Sequence, residues 1–152
     1  MSAYYLKISG VKGSSQVAPY KDWIEVESFS TGHSRAPTGR TSGAGDAKAL
    51  QEIVIAKYED SSSPSLVSKA AKGDHLGRVI LANAKADPGS AFAVIVMEDV
   101  IVSSLQMSGV SGGGRPLEAV GLNFRSLEFM SWAQYAVKLG IEATVQKITN
   151  WF

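Results

Sequence analysis

The chain has no cysteine, so disulfides and thiolate metal sites are excluded, and its two histidines do not make a dedicated zinc site by themselves. It has almost no excess of either charge: 15 Lys+Arg stand against 14 Asp+Glu, a formal net charge of +1. That balance argues against nucleic acid as a partner, because phosphate binding needs a basic face, and it permits self-association. Long hydrophobic runs are missing as well. The longest uncharged apolar stretch, Ala91 to Met97, is far too short to cross a bilayer, so no membrane insertion is expected. The opening Met1-Ser2-Ala3-Tyr4-Tyr5-Leu6-Lys7 lacks a basic segment followed by an apolar one, so no cleaved signal peptide is expected. What remains, in 152 residues, is a chain of single-domain length, read as one domain over 1–152.

Most of the hydrophobic pattern has a period of two. Tyr4, Leu6 and Ile8 alternate with Tyr5 and Lys7, and Asp22 to Ser30 and Leu50 to Tyr58 read as second and third strands. Further strands are expected over Leu76–Ala84, Phe92–Met97, Val100–Met107, Glu118–Phe129 and Ala143–Thr149. One helix interrupts them. Ser62 and Ser63 precede Pro64, then Leu66, Val67, Ala70 and Ala71 recur at helical spacing, with Lys69 and Lys72 in the last turn and Gly73 as the stop. At about two turns it cannot persist alone and must dock its Leu66 face on a sheet. The fold class that follows is mainly β: a closed β-barrel of two packed antiparallel sheets, with one short flanking α-helix and a long extended loop.

That loop, Thr31 to Asp46, has no apolar periodicity and lies between two clear strands, a length that marks functional segments. Gly32 and Gly39-Arg40-Thr41 approximate a phosphate-binding loop, but the glycine spacing is too long, Arg40 stands where Lys belongs, and a strand follows instead of a helix. The alternatives are a mobile polar loop or an arm that packs on another copy.

Candidate catalytic groups resolve the same way. His33 and His75 do not neighbour a Gly-x-Ser-x-Gly elbow, and His75 reads as a partly buried strand-start residue. Glu98 and Asp99 are adjacent on a strand, point to opposite faces and do not share one proton site, so a solvated turn or a salt-bridging edge is expected. Trp23 and Phe29 read as core aromatics. No catalytic residue, cofactor-binding residue or metal ligand is assigned.

Taken in order, five segments resemble a known family. They are Tyr5-Leu6-Lys7-Ile8-Ser9-Gly10-Val11-Lys12-Gly13, Lys21-Asp22-Trp23-Ile24-Glu25-Val26, Asp60-Ser61-Ser62-Ser63-Pro64-Ser65-Leu66 with Ala70 and Gly73, Glu98-Asp99-Val100-Ile101-Val102-Ser103-Ser104, and Pro116-Leu117-Glu118-Ala119-Val120-Gly121-Leu122-Asn123-Phe124. The resemblance is to the Hcp (haemolysin-coregulated protein) family, inner-tube subunits of bacterial type VI secretion systems, and runs from about Tyr4 to Phe129. It implies a β-barrel with a flanking helix, assembled as a ring, usually a hexamer, and rings stacked into a tube that holds effector proteins in its lumen. It also implies contact with the sheath and tip-spike proteins of the apparatus, and a path from the bacterial cytoplasm to the outside or to a target cell. A phage-like tail-tube subunit shares this barrel, and a monomeric small-ligand-binding β-barrel is the alternative of a different class. The sequence departs from the family at its C-terminus. Phe129 to Tyr135 replaces a common Tyr-x-Pro-Gln segment, and Gly140-Ile141-Glu142-Ala143 replaces a Gly-Trp-Asp. After Thr149 there is no room for an appended toxin domain, so a plain tube subunit is expected.

A ring of identical subunits meeting head to tail buries two unlike patches on each copy. On that reading the extended loop is the interface, with Thr31, Gly32, His33, Arg35, Arg40 and Thr41 as contact residues that order against an adjacent subunit or ring. Ser28 and Ser30 share sequence parity with Ile24 and Val26 and are the candidates for lumen-facing cargo contacts.

Overall fold

The computed structural model describes residues 3–17, 20–32, 52–84 and 91–140. In chain order these form β1 (Ala3–Ile8), β2 (Ile24–Val26), β3 (Ser28–Gly32), β4 (Glu52–Tyr58), α1 (Ser63–Lys72), β5 (His75–Ala84), β6 (Ala91–Ser108), β7 (Leu117–Asn123) and β8 (Ser126–Ser131). A second helix, α2, is under way over 132–140. The expected last strand, Ala143–Thr149, lies outside the described residues.

All eight strands belong to one antiparallel sheet in the order β2-β1-β5-β6-β7-β4-β3, with β8 added on β6, where the sequence pointed to two sheets. The two ends of that order, β2 and β3, are consecutive in the chain with only Glu27 between them. The N–H of Glu27 donates to the Ala56 carbonyl of β4 at 2.8 Å, so this donor stays paired as the backbone passes from the β1 edge to the β4 edge.

Alternation explains which face each strand buries. Leu6 and Ile8, Ile24 and Val26, Ile53 and Ile55, Val79 and Leu81, Met97, Val102, Val120 and Leu122 converge on one core. Leu66 of α1 is fully buried in the same cluster, as the amphipathic spacing required. Gly73 stops this helix in the left-handed conformation at φ 69°, with its N–H and that of Asp74 returning to Ala70 and Lys69. At the other end Ser62 makes no side-chain capping bond. Asp60 does that work, accepting the Ser62 N–H at 2.9 Å, while the Ser63 hydroxyl accepts the Asp60 N–H at 3.0 Å.

A smaller cluster lies on the opposite face of β1, β5 and β6, where Tyr5, Ile80, Ala82, Val94 and Val96 are covered by Tyr20, Met130 and Tyr135. Tyr5 and Tyr20 stack at 4.5 Å between ring centroids, nearly parallel.

Three boundaries differ from those expected. The strand Asp22–Ser30 is two strands, because the chain bends at Glu27 and changes partner from β1 to β4. The strands Phe92–Met97 and Val100–Met107 are one, β6, which pairs β5 and β8 with its first half and β7 with its second. Its turning point is Asp99, held at φ 53°, beside register shifts in the β5 ladder. Conversely Glu118–Phe129 divides into β7 and β8 at Phe124 and Arg125. The expectation of a lone helix is corrected by α2. Ser131 and Gln134 form a reciprocal capping box at its start: the Gln134 N–H donates to the Ser131 hydroxyl at 3.2 Å, and the Ser131 N–H to Gln134 Oε1 at 2.9 Å.

Candidate assembly surfaces

Residues that assemble copies of a chain have to be sought on its outer faces and at the ends of its strands. The bend at Glu27 decides one of these faces. It reverses the parity of the chain, so Phe29, not Ser28 or Ser30, continues the inward series of Ile24 and Val26, and Phe29 packs edge-on against Tyr4 at 5.0 Å. Ser28 and Ser30 are exposed on the outer face, opposite Ala56 and Val54 of β4. The parity argument that placed them with Ile24 and Val26 is thus corrected.

Across the sheet this outer face continues through Ala119 and Gly121 of β7 to Ser104 and Gln106 of β6. Every side chain named is small or uncharged. At Gly121 a Cβ would stand 2.5 Å from the Ser104 hydroxyl and 2.8 Å from that of Ser103, so the absence of a side chain keeps this part flat. Ser103 is the extra residue of a bulge between Val102 and Ser104, and its hydroxyl donates to Glu52 Oε2 at 2.6 Å.

The extended segment leaves from the end of this face. Thr31 is exposed and pairs Ile53; Gly32 is the last residue of β3 and pairs Glu52, the first of β4. His33, Arg35, Arg40 and Thr41 lie outside the described residues.

At the other end of β4 the inward series Ile53, Ile55 continues with a cation. Lys57 is fully buried, its ammonium 2.5 Å from Glu118 Oε1 on the facing residue of β7, and 3.2 Å from both Asp60 Oδ1 and the Ser63 hydroxyl. This buried network ties the end of the sheet to the first turn of α1, and sequence reading missed it, since Lys57 in an alternating strand reads as a solvated residue. Its signal was parity: Lys57 shares the phase of Ile53 and Ile55, as Glu118 shares that of Val120 and Leu122. Beside it Glu59, Asp60, Ser63, Pro64, Val67 and Met107 surround a hollow of about 430 Å³.

The remaining candidates are accounted for by ion pairs and packing. Glu98 takes Arg78 in a forked salt bridge, with Nε at 3.0 and 3.2 Å, and Asp99 takes His75 Nδ1 at 2.6 Å, so the two carboxylates serve separate bridges as expected. His75 begins β5 but is exposed rather than partly buried. Trp23 packs against Tyr20 at 5.1 Å with Lys7 above its ring. Burial, and then the charge of Glu25, raises the Tyr5 phenol above its ordinary value, and burial followed by Tyr5 does the same to Tyr20, so both rings remain neutral packing surfaces. Among the described residues no group of three His, Cys, Asp or Glu is placed to hold a metal ion, and no helix is long and apolar enough to cross a membrane.

Comparison with known proteins places this architecture. The family model described as "Type VI secretion system effector, Hcp" matches residues 5–130. The chain belongs to the Hcp family. Protein hcp1 of Pseudomonas aeruginosa is 30% identical over 128 residues, covering 82% of this chain and 79% of that protein. The crystal structure of Hcp1 from Salmonella typhimurium superposes with a TM-score of 0.74 at 27% identity, covering 88% of each chain. A type VI secretion system effector from Yersinia pestis gives 0.65 at 27% identity, over 80% of this chain and 83% of its own. The chain is accordingly an Hcp-type structural protein of type VI secretion, a secreted class whose members build an oligomeric tube.

Proposed function

We propose that this Hcp chain, acting as one domain over 1–152, closes into a six-membered ring that stacks into the inner tube and carries effector proteins through its lumen. On this reading the sheet, whose strand order is open, curls into the barrel at Glu27, the residue between β2 and β3 at the two ends of that order. The observation that carries the reading is the outer face of β3, β4, β7 and β6. It offers Ser28, Ser30, Ala56, Ala119, Gly121 and Ser104 as a flat, small-side-chain wall, and the interface segment departs from its edge at Thr31 and Gly32. A wall that lets unrelated proteins slide past should have neither long side chains nor strong charge. Thr31, Gly32, His33, Arg35, Arg40 and Thr41 are the contacts to a neighbouring copy, and Ser28 and Ser30 face the passing cargo.

The role is mechanical, without catalysis, cofactor or metal. Sheath and tip-spike proteins of the apparatus are the partners outside the ring, and the subunit passes from the bacterial cytoplasm to the target through the apparatus itself. The interior that a ligand-binding barrel would keep hollow is occupied by Ile24, Ile53, Ile55, Met97 and Leu122, all fully buried, which favours the tube reading over a monomeric binder. Light scattering and negative-stain microscopy of the purified protein test it. Doughnuts with an open centre and a mass of six chains are expected, and a monomer at high concentration would overturn the reading.

A further inference from the structure

We propose that the cleft between the end of β1 and the start of β2 is a docking site for an acidic segment of another protein, a property of the single subunit whatever ring it joins.

The cleft has a fixed backbone. Its walls are the turn after β1, over Ser9 to Lys12, and the approach to β2 from Lys21 to Trp23, and they enclose about 450 Å³. Main-chain hydrogen bonds hold the second wall in place: the Gly13 N–H donates to the Asp22 carbonyl at 2.7 Å, the Ser15 N–H to the Trp23 carbonyl at 3.0 Å, and the Asp22 N–H to the Ser15 carbonyl at 2.9 Å. Gly13 has to lack a side chain, because a Cβ there would collide with the Trp23 carbonyl. The first wall is tied to the residues before α1, where the Ser61 hydroxyl donates to the Lys12 carbonyl at 3.1 Å and the Ser61 N–H to the Ser14 hydroxyl at 3.0 Å. A site shaped before it is filled loses less entropy when a partner enters.

Charge then selects the occupant. Lys7, Lys12 and Lys21 line the cleft against one carboxylate, Asp22. Lys12 approaches Asp22 at 3.9 Å with both side chains open to solvent, a loose pair. Lys7 and Lys21, both exposed, have no ion pair among the described residues. The Lys7 ammonium stands 5.8 Å above the centre of the Trp23 ring, and Tyr20 meets that ring edge to face. The indole is therefore a floor beneath a cation, not a platform held open for a nucleobase, which favours carboxylate over nucleic acid.

A second copy has little acid to offer. Glu98 is taken by Arg78, Asp99 by His75, Asp60 and Glu118 by Lys57, and Glu128 by Lys138. Glu25 is exposed, but it shares the face of β2 with Trp23 and so faces the same way as the lysines, whereas a head-to-tail contact needs its two patches to face different ways.

The test titrates the full chain into a fluorescein-labelled hexaglutamate peptide and follows its anisotropy. Saturable binding is expected, weakening with added salt as exposed charges are screened. Lys7→Glu with Lys21→Glu should weaken it by roughly tenfold or more, and Lys7→Gln with Lys21→Gln, which adds no acid, should weaken it less in the same direction. Lys72→Glu, at an exposed position on α1, should leave it unchanged. Circular dichroism should be the same for all of these proteins. Absence of saturable binding, or an equal loss with Lys72→Glu, would overturn the site. Tighter binding of a labelled thymidine oligonucleotide of the same charge would overturn the choice of an acidic peptide. A change in particle mass by light scattering in the Lys7→Glu, Lys21→Glu protein would put the cleft between copies of this chain and overturn a foreign partner.

Discussion

At the scale of the residue, Lys57 is the least expected feature of the chain. Burying an ammonium is costly unless carboxylates and hydroxyls replace its water, and here Glu118, Asp60 and Ser63 do so. Such a pair adds little stability over well-packed apolar residues, but it is intolerant of misalignment, because Lys57 and Glu118 are directly opposed in the β4–β7 register. A slip of β4 by one residue against β7 would turn Lys57 outward, with Ile53 and Ile55, and leave Glu118 without its cation. Lys57→Met is expected to destabilise the protein by roughly 3–5 kcal/mol, since it leaves the buried carboxylates of Glu118 and Asp60 without their cation. Urea unfolding followed by far-ultraviolet circular dichroism measures this, and Lys57→Met combined with Glu118→Leu should recover much of the loss. A single variant as stable as the parent would show that the carboxylates do not need the ammonium.

Elements were legible where one rule governed them and obscure where two competed. β1 and β4 follow simple alternation, β5 is a continuous apolar run buried on both faces, and α1 carries its own start and stop signals, so all four stand within a residue or two of where the pattern put them. β6 broke the pattern at Glu98 and Asp99, and a break in alternation reads as a loop. The chain keeps its ladders through that point because Asp99 takes a left-handed conformation that short polar side chains tolerate. The bend at Glu27 was hidden for the opposite reason: the run of strand-forming residues is unbroken, and only the change of hydrogen-bonding partner divides it. That is also why Ser28 and Ser30 were read on the wrong phase. α2 had a signal that could have found it, the Ser131–Gln134 spacing of a capping box, overshadowed by the strand-like run before it. The turning point of β6 is testable. Asp99→Val places a β-branched side chain at φ 53° and should cost about 1–2 kcal/mol. Asp99→Asn should keep the backbone and forfeit only the charge facing His75, so its thermal midpoint should stay close to the parent's. Equal losses in both variants would place the effect in the ion pair instead of the backbone.

At the scale of the molecule, each face has its own composition. The inner face of the sheet is apolar, and the outer face of β1, β5 and β6 is sealed by aromatics and Met130. That leaves the outer face of β3, β4, β7 and β6, whose middle is lined by small side chains between Glu52 at one end and Tyr58 and Leu117 at the other. Its flatness follows from a short list of residues, and the consequence can be checked in the assembled particle. Ser28→Arg with Ser30→Arg adds two long cations to each subunit on exposed positions of an outer face, where neither side chain enters the core, so folding and ring mass should be unchanged by circular dichroism and light scattering. Repeated around a ring of six, the substitution would place twelve guanidinium groups in the lumen, narrowing it and reversing its neutrality. Retention of effector by the purified ring, measured by co-elution on size exclusion, should then fall, most steeply for a basic effector and least for an acidic one. Undiminished co-elution of every effector would show that these serines face away from the lumen, while dissociation of the ring would put this face at the contact between neighbouring subunits.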